Sequence, residues 1–147
     1  MYKSIHLCLL VSVALVLCGC PYTAPQTSKV KTIDQHTYKA VLAPDLHNSL
    51  EQGWNPYIVD VRPQPNYAKG HIPGAISMPF VRIHDRYKEL PKYTHIVIYT
   101  ESSSSPLADE AAKILIRRNF SGGRLYVLVN GYAGWLKEGN PVETQED

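Results

Sequence analysis

The stretch YIVDVRPQPNYAKGHIPGA, residues 57–75, is the most informative in this chain of 147 residues. It opens on a short apolar run, Tyr57 to Val61, of the kind found in strands buried on both faces of a sheet. The run ends in a charged pair, Asp60 and Arg62. Asn66 to Lys69 fits a brief helical turn closed by Gly70, and Pro73 stiffens a bend between Gly70 and Gly74. Asp60 and Arg62 leave the carboxyl end of a strand, where α/β folds open their clefts. They read either as cleft residues or as a charge pair tying one loop to the next. His71 reads as a ligand or base, or as a loop histidine satisfying a backbone carbonyl.

The pattern continues on both sides. Upstream, Tyr38 to Leu42 predicts a short strand, and Pro44 to Gln52 a short helix with proline near its start. Downstream, Ala75 to Pro79 predicts another short strand and Phe80 to Glu89 a helical stretch. His95 to Thr100 (HIVIYT) is the strongest strand, a continuous apolar run suited to the middle of a parallel sheet. Pro106 to Arg118 is the best helix. Its acids Asp109 and Glu110 lie near the positive end, Arg117 and Arg118 near the negative end, and Gly122 and Gly123 stop it. Arg124 to Val129 and Tyr132 to Lys137 predict a last strand and a last helix. Alternating strands and helices give an α/β fold, a single domain with a central, mainly parallel sheet and helices on both faces.

Composition narrows the function classes. Hydrophobic residues make up 44% of the chain and charged residues 19%, a balance that supports a folded core. The formal net charge is +2 and no basic block is present, which disfavours nucleic acid as a partner. All three cysteines, Cys8, Cys18 and Cys20, fall within the first twenty residues. The chain after Cys20 holds no thiol, and therefore no disulfide, thiolate metal site or cysteine nucleophile. His36, His47, His84 and His95 have no ligand-like spacing, so no metal and no cofactor are assigned.

Leu7 to Leu17 (LCLLVSVALVL) is too short to span a bilayer, and with Lys3 before it describes a secretory signal. The exit Leu17-Cys18-Gly19-Cys20 resembles the lipobox of bacterial lipoproteins. That resemblance implies cleavage before Cys20 and lipidation of its sulfur, with acyl chains such as palmitate. Residues 1–19 are then a signal peptide, 20–36 a lipidated tether and 37–147 the domain. Two or three acyl chains suffice for stable anchoring. Pro21, where retention in the inner membrane usually has aspartate, implies the periplasmic face of the outer membrane.

Asp60-Val61-Arg62, Tyr67 and Gly70-His71-Ile72-Pro73-Gly74-Ala75 resemble the rhodanese signature D-V-R…Y…G-H-I-P-G-A. Asn130-Gly131-Tyr132-Ala133-Gly134-Trp135 and Gly139-Asn140-Pro141-Val142 resemble its closing motifs. The resemblance covers Tyr38 to Val142 and implies the rhodanese-like fold, in which a charge pair is the expected role of Asp60 and Arg62. It also implies a catalytic loop after the central strand, whose cysteine carries a persulfide stabilised by backbone N–H groups and a helix terminus.

In that loop Thr100 occupies the nucleophile position, followed by Glu101, Ser102, Ser103, Ser104 and Ser105, then Pro106. An alcohol has negligible anion at neutral pH and cannot hold a persulfide. Glu101 places negative charge where relatives often attract thiosulfate with a cation. The arginine that a related dual-specificity phosphatase reading needs is replaced by Pro106. The bland reading of the serines is that they cap the following helix.

The chain is thus expected to be a non-catalytic rhodanese-like module at the envelope. Its former active-site cleft would bind a small anion, a peptide or a protein partner, with Arg62, Thr100, Ser103 and Ser105 as candidate ligand-binding residues. The alternatives are an enzyme of altered chemistry, in which Thr100 or a loop serine is the nucleophile and folding brings His71 close, or a sulfurtransferase-related role with a partner supplying the thiol.

Overall fold

The computed structural model describes residues 29–33 and 36–145. The expected signal peptide and Cys20 lie outside them. The elements run β1 (Lys29–Ile33), β2 (His36–Val41), α1 (Ala43–Glu51), β3 (Tyr57–Asp60), α2 (Gln64–Lys69), β4 (Ile76–Ser77), α3 (Ile83–Arg86), β5 (Ile96–Tyr99), α4 (Leu107–Arg117), β6 (Leu125–Leu128) and α5 (Gly131–Lys137). The sheet order is β1-β2-β6-β5-β3-β4. Every neighbouring pair is parallel except β1 and β2, which are antiparallel.

The apolar runs at β3 and β5 pair with each other in register, Val59 opposite Ile98. Alternation along these strands feeds two cores. Val59, Ile96, Ile98, Leu125 and Val127 face α3 and α4. Ile58, Val97, Tyr99, Tyr126 and Leu128 face the side covered by α1 and α5. Such strands carry no polar face because helices cover both sides. α4 buries Ala108, Ala111, Ala112 and Leu115, spaced as one helical face.

Three local expectations change. Lys29–Ile33, read as part of the tether, pairs along the edge of the sheet as β1, Lys29 opposite Ala40 and Ile33 opposite His36. Phe80 to Glu89, read as one helical stretch, breaks into a 3-10 turn, the four residues of α3, and a second 3-10 turn. Only Ile83 of these ten residues is fully buried, while Phe80 and Tyr87 of the flanking turns pack partly buried against the same core. α4 ends at Arg117, before Gly122. Asn119 takes the left-handed conformation (φ 65°), and its N–H donates to the Ile116 carbonyl at 2.9 Å.

Candidate functional site

β5 runs into Thr100, and the loop from Thr100 to Pro106 joins it to α4. Thr100 is buried at 3% exposure. Its carbonyl accepts the Tyr132 N–H at 2.8 Å, and the Glu101 carbonyl accepts the Ala133 N–H at 2.8 Å. The first turn of α5 is therefore capped by the loop backbone. Gly131 makes that approach possible: its φ is +57°, and a Cβ there would stand 2.5 Å from the Thr100 carbonyl oxygen. The loop closes on itself through Ser105 N–H to Ser102 O at 3.1 Å. Its hydroxyls pair with one another, Thr100 Oγ1 with Ser105 Oγ at 3.2 Å and Ser102 Oγ with Ser104 Oγ at 2.8 Å. None of them caps α4, whose N-cap is Pro106. The serines therefore do not take the capping role, and Ser102, Ser104 and Ser105 engage hydroxyls within the loop instead.

Asp60 and Arg62, at 0% and 3% exposure, form a charge pair of the kind anticipated, with further partners. Arg62 donates from Nη2 to Asp60 Oδ2 at 2.7 Å and to the Gly70 carbonyl at 2.6 Å, and from Nε to both Asp60 oxygens. Nη1 donates to Glu101 Oε2 at 3.1 Å. The guanidinium lies 3.9 Å over the Tyr132 ring. Burial opposes its charge, and the hydrogen bonds and charge of Asp60, joined by the Glu101 hydrogen bond, together more than offset that, holding Arg62 above its ordinary value. One side chain thus joins the end of β3, the bend at Gly70 and the loop after β5.

His71 takes the structural role. Its Nδ1 is 3.0 Å from the Tyr67 carbonyl, its ring stacks on Tyr67, and its backbone bridges Glu143. It is a lining residue of neither the cleft beside Thr100 nor the pocket beside Arg62. Among the described residues no cluster of His, Cys, Asp and Glu could hold a metal ion.

The four candidate ligand-binding residues separate. Thr100, Ser103 and Ser105 line a cleft of about 530 Å³ with an apolar wall that includes Ala40, Ala108 and Val127. Arg62 lies against a smaller pocket of about 310 Å³ with Lys69, Glu101 and Tyr132. Tyr38 and Asp109 complete the larger cleft, and sequence reasoning missed both. Tyr38 OH donates to Asp109 Oδ1 at 2.5 Å across 71 residues of sequence, a distance no local pattern encodes. Burial, then Asp109, pushes the Tyr38 phenol well up, so it remains a donor. The cleft lining contains Asp109 and no Lys, Arg, His or Cys.

A family model described as "Rhodanese-like domain" matches residues 42–138. The chain is 36% identical over 86 residues to "HTH-type transcriptional regulator Rv0324" of Mycobacterium tuberculosis, covering 58% of this chain and 37% of that protein. It is 32% identical over 89 residues to a protein named "Sulfurtransferase" of Allochromatium vinosum, covering 60% and 79%. The crystal structure of the BH2092 protein from Bacillus halodurans superposes with a TM-score of 0.65 at 32% identity, covering 74% of this chain and 77% of that one. The chain spans little over a third of the mycobacterial regulator, so the kinship is one of domain rather than of whole proteins. Strands β3 to β6, the bend at Gly70 to Ala75 and the loop after β5 all fall inside the matched region, and the chain belongs to the rhodanese-like domain family.

Proposed function

We propose that this chain is a rhodanese-like binding module, held at the bacterial envelope by lipid on Cys20, that grips a peptide segment of a protein partner and transfers no sulfur itself. The observation that carries this reading is the end of β5: a buried threonine, hydrogen-bonded to Ser105, stands at the head of the loop in a chain with no cysteine beyond Cys20. Neither the cleft lining nor the loop supplies a thiol or a histidine base, which favours binding over altered enzymology. The cleft carries hydroxyls on one rim, an apolar wall, and a single acid paired to Tyr38. That composition favours a peptide with a small apolar side chain over a small anion, which no cation in the lining would attract. The apolar surface continues outward on Val129, 39% exposed.

Residues 21–28 separate Cys20 from β1, and eight residues reach at most about 28 Å when fully extended. The module therefore works close to the lipid surface, on the periplasmic face of the outer membrane. Panning a displayed random peptide library against the full-length chain tests the binding reading. Peptides sharing a small apolar residue should be enriched, and Val129→Asp should abolish their binding. Failure to enrich any peptide, with saturable binding of thiosulfate or sulfate at the loop instead, would overturn it.

A further inference from the structure

Residues of α2 and α5, with Glu101 of the loop, enclose the pocket of about 310 Å³ against which Arg62 lies, and it shares no lining residue with that cleft. We propose that this pocket is a binding site for a small aliphatic carboxylate, whose carboxyl group replaces Glu101 on the Arg62 guanidinium. The site is independent of the peptide cleft.

The Arg62–Glu101 pair is asymmetric. The Arg62 side chain is 3% exposed and fixed from behind by Asp60 and the Gly70 carbonyl, whereas the Glu101 side chain is 52% exposed. Arg62 cannot leave; Glu101 can turn into water at little cost, since exposed carboxylates are well solvated. Stacking on Tyr132 covers a face of the guanidinium, which leaves the Nη1 edge as the part that meets a ligand. With Nε and Nη2 taken by Asp60 and the Gly70 carbonyl, Nη1 is left to donate a charged hydrogen bond, and one carboxylate oxygen of Glu101 accepts it at 3.1 Å. Lys69, in the last turn of α2, adds a second cation and forms no ion pair among the described residues. Asn66 offers an amide, and Leu136, 49% exposed, gives an apolar wall for a short hydrocarbon chain. With Glu101 in place the charges of Asp60, Arg62, Glu101 and Lys69 cancel; with Glu101 turned out a positive charge remains for the ligand. Glu101 thus acts as an internal competitor.

The test is an NMR titration of the isotopically labelled full-length chain with butyrate, repeated for Glu101→Gln and Lys69→Gln. Both substitutions are at exposed positions and leave the Asp60–Arg62 pair intact. Butyrate should shift the amides of Lys69, Glu101 and Tyr132. Glu101→Gln should bind about tenfold more tightly than the unmodified chain, the order expected for freeing one charged hydrogen-bond partner. Lys69→Gln should bind several-fold more weakly. Equal affinity with and without Glu101, or shifts confined to other surfaces, would overturn the site. Tighter binding of inorganic phosphate than of butyrate by Glu101→Gln would overturn the carboxylate assignment.

Discussion

Replacing Gly131 by alanine isolates the contact that shapes the candidate loop. The new Cβ would stand 2.5 Å from the Thr100 carbonyl oxygen and 2.8 Å from both the Glu101 carbonyl carbon and the Ser102 nitrogen. All three are backbone atoms, so no rotamer change relieves the collision. The left-handed φ of +57° adds about 1–2 kcal/mol for a residue with a side chain. Forced displacement of packed structure costs about 1–3 kcal/mol more. The sum is about 2–5 kcal/mol. Gly74 supplies the control, with φ +72° and nothing within 4 Å of the place a methyl group would take. Gly74→Ala should therefore show the conformational cost alone, about 1–2 kcal/mol. Urea denaturation followed by the fluorescence of Trp54 and Trp135, both buried, reports each value. The amides of Thr100 to Ser102 should also shift in Gly131→Ala and not in Gly74→Ala. Equal losses in the two variants would refute the claim that α5 packs directly on the loop backbone.

Trp135, 1% exposed, donates from Nε1 to the Pro141 carbonyl at 2.7 Å and meets the His47 ring edge-on. Trp135→Ala should lower unfolding free energy by about 3–5 kcal/mol, and a loss below about 1 kcal/mol would place the indole outside the core. His95 accepts the Trp54 Nε1–H at Nδ1 (3.4 Å), and burial, then the nearby Lys39 and Arg124, lowers its pKa from 6.5. A histidine neutral in the native state binds fewer protons than in the unfolded chain. Stability should therefore fall as pH drops below about 6.5 and level off beneath the lowered value. His95→Gln should flatten this limb of the stability–pH curve, and an unchanged limb would exclude His95 as its source. If Cys20 is the lipid attachment point, fatty-acid labelling in a bacterial host should mark the unmodified chain and not Cys20→Ala. Label persisting in the variant would remove the anchor from this account.

What the sequence made legible, and what it concealed, divides by the range of the interactions. β3, β5 and α4 announce themselves because burial on both faces, or along one helical stripe, writes a local apolar pattern. The bend from Gly70 to Ala75 is marked by glycine and proline. β1 is concealed because KVKTI is short and lysine-rich, as sheet edges often are, and no apolar run marks it. The Asp60–Arg62 pair is visible at a spacing of two, yet Arg62 reaches Glu101 across 39 residues, and only the chain fold sets that meeting. For the same reason sequence reasoning groups Arg62 with Thr100, Ser103 and Ser105. The fold instead sets them against two hollows that share no lining residue, a cleft with an apolar wall and a charged pocket. The serine hydroxyls illustrate a different limit: helix capping and hydroxyl pairing use the same residue types, and only geometry distinguishes them.

The central claim is that the loop after β5 binds without carrying sulfur, and a thiosulfate:cyanide sulfurtransferase assay addresses it most directly. The full-length chain and Cys20→Ala are assayed beside Thr100→Cys, which places a thiol ahead of the eleven-residue helix α4, where its pKa should fall below the free value of about 8.5. The account predicts no thiocyanate from the unmodified chain or from Cys20→Ala, together with rapid alkylation of Thr100→Cys by iodoacetamide. Thiocyanate formed by the unmodified chain, retained in Cys20→Ala and lost in Thr100→Ala, would contradict it.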